Sequence, residues 1–161
     1  MTTANLLLQL WQPRATNLRY LAYDEVIPAL LADRADAGVI IHESRFTFAD
    51  SGLVALADLG AWWEAQTRLP IPLGGIVARN ELGPTAAEAL NQLIRDSIDF
   101  SRSNPEAVAD YITRHAQEIS ATVQHQHIDM FVNEFSLSLG EKGRAAVERL
   151  THMAEAKVAG W

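Results

Sequence analysis

The stretch Leu69-Pro-Ile-Pro-Leu-Gly-Gly75 divides this sequence into two parts with different hydrophobic periods, and that change constrains the fold more than any other feature. Two prolines followed by two glycines end any helix arriving from the N-terminal side. Before the break, helical and strand-like patterns alternate. Thr2 or Thr3 can cap a short helix that runs to about Trp11 and is stopped by Pro13. Asn17 to Ala22 alternates Leu18, Tyr20 and Ala22 with polar neighbours and is expected as a strand. Asp24 is placed to cap a helix over Glu25 to Asp33, and Ala37-Gly-Val-Ile-Ile41 is a β-branched apolar run suited to a parallel strand covered on both faces. Leu53 to Trp63 turns helical, and Ile76-Val-Ala78 reads as a further short strand. The order helix, strand, helix, strand predicts an α/β layer with right-handed crossovers.

After Pro84 only helical spacing remains, in four pieces whose starts are all signalled. Thr85-Ala-Ala-Glu88 reads as a capping box, Asn104-Pro105 as a cap followed by proline at the first helical position, Ser120 as a third cap, and Gly140-Glu141 as the last opening. The domain reading is therefore 1–80 as an α/β lobe and 81–161 as a helical segment.

The 161 residues fit one ordinary domain, and 48% apolar with 20% charged residues is a globular mixture. Lys plus Arg number 13 against 20 Asp plus Glu, for a net charge of −7, with no basic run, so nucleic acid and anionic membrane are not expected as partners. The absence of cysteine excludes a disulfide framework, thiolate metal sites and cysteine nucleophiles. No apolar run reaches the length of a membrane span. Met1 to Gln12 lacks the basic start of a secretory signal, so a cytoplasmic chain is the expectation, and its apolar period is under way almost at once, as though it began inside a structure.

His42 follows the carboxyl end of the run Ala37 to Ile41, and in open α/β sheets ligands bind outside the carboxyl ends of strands. An imidazole, with a reference pKa of about 6.5, can take a proton near neutral pH, so a general base is one reading. The other is a histidine that tethers the strand end to a loop carbonyl. Glu43 either orients that ring or is solvated. Thr2 and Thr3 offer two hydroxyls beside the unpaired N–H groups and positive dipole end of a helix, a site for a carboxylate, or they are a plain N-cap. Gly74-Gly75 either lets a ligand approach the backbone or makes a tight turn. Trp62 and Trp63 either wall an aromatic ligand or divide between core and margin. His125 and His127 are two apart and so face different sides of a helix, which, with His115, argues against a metal site. Arg144, Arg149 and Lys157 alternate with Glu141, Glu148 and Glu155 as a solvated face. GxSxG, GxGxxG and P-loop patterns are absent.

Four longer motifs, Asp36-Ala-Gly-Val-Ile-Ile-His-Glu-Ser-Arg-Phe46, Asp58-Leu-Gly-Ala-Trp-Trp-Glu64, Leu69-Pro-Ile-Pro-Leu-Gly-Gly-Ile76 and Val132-Asn-Glu-Phe-Ser-Leu137, together resemble the 1,4-dihydroxy-6-naphthoate synthase family of the futalosine route to menaquinone. Chorismate dehydratase is a sister family and the alternative, but the Pro-Ile-Pro-Leu-Gly-Gly stretch is similar to the naphthoate synthase version. The resemblance implies a type II periplasmic-binding-protein-like fold, with substrate held between two lobes in the cytoplasm, and neither metal nor organic cofactor. It implies a lyase that converts cyclic dehypoxanthine futalosine, an aromatic carboxylate, into 1,4-dihydroxy-6-naphthoate with release of a sugar-derived fragment. The histidine of the Ile-Ile-His-Glu motif, here His42, would be the proton acceptor, and the family's threonine pair matches Thr2 and Thr3 as substrate-binding residues.

Members of that family begin with a complete first lobe, where this chain has Met1. The expectation is a truncated chain: a second lobe plus helices that return to the first. Apolar faces such as Phe131 and Phe135 would then seek a partner, giving self-association of two or more copies. Two other classes stay open: a module that binds a small carboxylate without turning it over, and a remnant that binds nothing.

Overall fold

The computed structural model describes residues 2–42, 44–116 and 120–159. The α-helices among the described residues are α1 (Thr3–Trp11), α2 (Val26–Leu31), α3 (Ser44–Thr47), α4 (Leu59–Thr67), α5 (Gly83–Ser103), α6 (Pro105–His115), α7 (Ala121–Phe131), α8 (Glu134–Leu137) and α9 (Gly140–Ala159). Short 3₁₀ turns occupy Tyr23–Glu25, Phe48–Ser51 and Asn80–Leu82. The chain divides into two compact units, Met1–Leu73 with Lys142–Trp161, and Gly74–Glu141.

In the first unit, Thr2 caps α1 through its Oγ1, which accepts the Asn5 N–H at 3.2 Å. Leu6 and Leu7 are buried, and α1 packs on α4. Asp58 starts α4, with Oδ1 accepting the N–H groups of Gly60 and Ala61 at 2.9 and 3.1 Å. Trp63, in the middle of that helix, is 0% exposed. Its indole N–H donates to the Pro70 carbonyl at 3.1 Å, and Arg68, with φ of 59°, closes the helix by donating to the Glu64 carbonyl at 2.8 Å. The chain reversal thus lays the proline segment beside the helix that precedes it. Ala29 of α2 and Ala146 of α9 complete the buried apolar set, and Gln9 of α1, close in sequence to Leu6 and Leu7, is buried as well. Beyond α2, Asp33 takes φ of 52° while the Arg34 N–H reaches back to the Ala29 carbonyl at 2.9 Å, a left-handed helix stop.

In the second unit, α5 packs on α6 and α8. Arg95 and Arg102 of α5 donate to the carbonyls of Leu137 and Val132, both at 2.9 Å, clamping the two ends of α8 and its approach. Asn133 caps α8 reciprocally: its Oδ1 accepts from the Phe135 N–H at 3.0 Å, and its own N–H donates to Ser136 Oγ at 3.2 Å. No apolar side chain among the described residues of this unit is fully buried, while Leu90, Leu93, Phe100 and Tyr111 are exposed. Phe131 and Phe135, expected as the open face, are half-buried.

The expected strands are not formed. Among the described residues no β-ladder exists, and 17–22, 37–41 and 76–78 are unpaired, non-helical chain. Alternation and β-branching specify a conformation and a burial requirement, but a strand exists only when a neighbour supplies the ladder. Of the three, 37–41 is held by helix packing: α2 lies so close that a Cβ on Gly38 would meet Val26 Cγ1 at 2.6 Å.

Helix starts also differ. Asp24 lies within the 3₁₀ turn Tyr23–Glu25, whose Glu25 carboxylate accepts the Ala22 N–H at 3.2 Å, so α2 begins only at Val26. The helix expected from Leu53 starts at Leu59, because Asp58 captures the first free N–H groups and leaves Val54 and Leu56 exposed. α5 opens at Gly83 with Pro84 in its first turn, which places Thr85 inside the helix rather than at its cap. Asn104 does stand at the N-cap of α6 with Pro105 as the first helical residue, but its side-chain amide donates backwards to the Phe100 carbonyl at 3.0 Å, and the Ala107 N–H is taken by the Asn104 carbonyl instead.

Candidate functional site

His42 and the threonine pair both lie in the first unit, each held by local geometry. His42 is an exposed residue with φ of 57°, a left-handed conformation that side-chain-bearing residues seldom adopt. It lies between the 37–41 segment and α3, and its carbonyl accepts the Arg45 N–H at 3.3 Å, so the chain turns sharply at this residue. The imidazole meets the ring of Tyr23 edge-on, with centroids 5.0 Å apart. Glu43, the residue proposed to orient His42, lies outside the described residues.

Arg45, one turn further on, donates to Asp58 Oδ2 at 2.8 Å. Asp58 therefore serves two elements: one oxygen caps α4 and the other fixes the short helix that follows His42. Partial burial pushes the Asp58 carboxyl up, but the Ala61 N–H, the Arg45 guanidinium and the Gly60 N–H outweigh it, and the net effect is a carboxyl held below its ordinary value. This pairing is a positioning device that the sequence reading missed. The signal was available, since an aspartate directly before Leu-Gly-Ala-Trp-Trp is a helix-start pattern. Tyr23 carries no comparable signal in the sequence.

Thr2 is exposed and stands at the N-cap, and Thr3, half-buried, is the first residue of α1. The Thr2 hydroxyl takes the Asn5 N–H and its carbonyl that of Leu6, so the N–H groups of Thr3 and Ala4 have no intrahelical acceptor. That arrangement can hold a carboxylate oxygen and also suffices as an ordinary cap.

The two tryptophans are divided: Trp63 is core and Trp62 half-buried at its margin. Gly74 and Gly75 do not form a tight turn, since the chain there is neither helical nor turned and neither glycine has positive φ. His115 packs its ring on Tyr111 of the same helix at 4.4 Å, and His127 on Phe131 at 4.6 Å. Among the described residues no three acidic or imidazole side chains group as metal ligands, and no helix is long and apolar enough to cross a membrane.

The same chain is similar to known proteins along nearly all its length. A family model described as menaquinone biosynthesis matches residues 1–156. A Thermus thermophilus protein named 1,4-dihydroxy-6-naphthoate synthase is 45% identical over 156 residues, covering 97% of this chain and 57% of the relative. A Streptomyces coelicolor protein of the same name is 42% identical over 161 residues, again covering 97% of this chain and 57% of the relative. A crystal structure of an Archaeoglobus fulgidus protein superposes with a TM-score of 0.86 at 35% identity, over 98% of this chain and 60% of that one. The chain thus spans less than two thirds of the length of these relatives, at an identity that leaves its membership plain. It belongs to the menaquinone biosynthesis family.

Proposed function

We propose that this chain carries part of the active site of a lyase that converts cyclic dehypoxanthine futalosine into 1,4-dihydroxy-6-naphthoate. In this reading His42 is the base that removes a proton next to a carbonyl and so starts ring opening and aromatisation. Thr2 and Thr3 hold the substrate's carboxylate at the start of α1. Residues 1–80 act as one lobe of a type II periplasmic-binding-protein-like fold, and 81–161 return towards the other lobe.

The observation that carries the proposal is the backbone at His42. A left-handed histidine directly after an apolar, β-branched segment costs conformational energy that neither the segment nor α3 requires of a histidine in particular. Asp33 and Arg68 take the same conformation at helix ends, so what sets His42 apart is its imidazole, exposed at the turn after 37–41, in a chain whose curated relatives bear the name of the enzyme that makes dihydroxynaphthoate.

Since the chain spans 57% of those relatives, turnover is expected only when the remaining part is supplied. The test is incubation with cyclic dehypoxanthine futalosine, with the chain alone and with the complementary part of a relative, followed by chromatography for dihydroxynaphthoate. Product that vanishes with His42→Ala supports the lyase. Binding of substrate without product, indifferent to His42→Ala, would favour a carboxylate-binding module.

A further inference from the structure

His42 is exposed on a turn, and an imidazole in that setting ordinarily exchanges among staggered rotamers within nanoseconds. Its backbone, at φ of 57°, fixes where the side chain starts but not how the ring turns. A general base has to be held within about 0.5 Å and 10–20° of its working geometry. The ring of Tyr23 meets the imidazole at a centroid separation of 5.0 Å and an interplanar angle of 70°, a favoured arrangement for two aromatic rings.

The surrounding chain keeps the two rings together. Tyr23 opens the 3₁₀ turn Tyr23–Glu25, which closes on itself: the Glu25 carboxylate accepts the Ala22 N–H at 3.2 Å, and the Glu25 N–H donates to the Ala22 carbonyl at 3.0 Å. α2 continues directly from this turn. Gly38, in the segment leading to His42, lies against α2, where a Cβ would meet Val26 Cγ1 at 2.6 Å and Leu30 Cδ1 at 3.2 Å. Beyond His42, Arg45 is anchored to Asp58 at 2.8 Å. The chain is therefore held on both sides of His42, and on one of them by the helix that follows Tyr23. Tyr23 is itself 36% exposed, so the pair keeps an open side and contributes little to the core.

We propose that Tyr23 is a positioning residue for His42: its ring confines the imidazole to the orientation in which a ring nitrogen takes the substrate's proton. This role rests on the reading of His42 as the base. An edge-to-face pair favours one ring orientation by about 2- to 12-fold, and turnover gains the same factor because only the oriented ring reacts. In that reading the substrate is held at Thr2 and Thr3 and not by Tyr23, so the effect falls on kcat rather than on KM.

The test combines NMR of the chain itself with turnover by the chain complemented with the remaining part of a relative. In the parent, nuclear Overhauser contacts are expected between the ring protons of Tyr23 and His42, the His42 resonances being identified by their loss in His42→Asn. Tyr23→Leu should move those resonances towards the position of free histidine and lower kcat about 2- to 12-fold with KM unchanged. Tyr23→Phe, which retains the ring, should restore both. Should Tyr23→Leu bring the Tm beneath the assay temperature, Tyr23→Met takes its place. Parent-like kcat or unmoved His42 resonances in the folded leucine or methionine variant would overturn the proposal. So would a rise in KM in place of the fall in kcat, a phenylalanine variant as slow as the leucine one, or a parent without the ring contact. Failure of the base reading looks different: parent-level turnover by His42→Ala, or no product from the complemented parent, removes the base and the role of Tyr23 with it.

Discussion

Arg45 and Asp58 meet at 2.8 Å, and through that contact the short helix after His42 is tied to the first turn of α4. The two Asp58 oxygens do different work, so substitutions separate them. Asp58→Ala removes the cap and is expected to destabilise the chain by about 1 kcal/mol, seen as a lowered Tm. Asp58→Asn keeps an acceptor for the N–H groups and should lose less. Arg45→Ala removes only a half-exposed ion pair, for which ~0.5 kcal/mol is expected.

The same carboxyl gives a pH dependence with a defined sign. Its value is depressed in the folded chain, so the unfolded chain binds the proton at higher pH. The stabilisation is fully present above the ordinary aspartate range and fades as pH falls through the lowered value. Thermal melts of the parent and of Asp58→Asn should therefore converge in acid and separate towards neutral pH. A constant separation across that range would show that the carboxylate charge is not what matters.

Trp63 ties α4 to the proline segment. Trp63→Phe keeps most of the buried ring but leaves the Pro70 carbonyl without its donor, at a cost of about 1–3 kcal/mol. Trp63→Ala adds a cavity, with a loss of roughly 3–5 kcal/mol. The half-buried Trp62 should tolerate alanine better. Denaturant unfolding of the three variants orders them, and an equal effect at both positions would contradict the division of the pair into core and margin.

Gly38 is required by packing. A Cβ there meets Val26 Cγ1 at 2.6 Å and Leu30 Cδ1 at 3.2 Å, and the branched valine has little rotamer freedom to retreat. Gly38→Ala is expected to cost about 1–3 kcal/mol by overpacking, visible in the melt. Val26→Ala in the same chain should recover part of it. Additive losses in the double variant would place the strain elsewhere.

These particulars show what the sequence could and could not carry. Helices announce themselves through local chemistry, so Thr2 before α1, Ser120 before α7 and the opening at Gly140 are legible from a few residues. Where two local signals compete, as at Asp58 against the apolar run from Leu53, spacing alone does not choose, and the stronger cap wins. Strands are different in kind. Ala37–Ile41 and Ile76–Ala78 have a strand's composition, yet the ladder depends on partners that no local pattern names, and among the described residues none is supplied. For the candidate site, His42 and the threonines stood out by residue type and position, whereas Tyr23 against His42 and Arg45 on Asp58 are tertiary contacts. The arginine clamps from α5 onto Val132 and Leu137 escaped notice for the same reason: an arginine on a helix face usually reads as solvated.

His42 allows backbone and chemistry to be separated. At φ of 57° glycine fits without the penalty that a Cβ incurs, and asparagine tolerates that region better than alanine. His42→Gly should therefore match or exceed the parent's stability even though the ring contact with Tyr23 is lost, while His42→Ala keeps the strain without the ring and falls below it. In dihydroxynaphthoate formation by the chain complemented with the rest of a relative, His42→Gly, His42→Asn and His42→Ala should behave alike, losing about 100-fold or more in rate, as expected when a general base is removed. Stability then varies across Gly, Asn and Ala while the rate does not, which a merely structural histidine would not produce. Rates that follow the stability order instead would reduce His42 to a turn residue and shift the search for the base to other residues of the site.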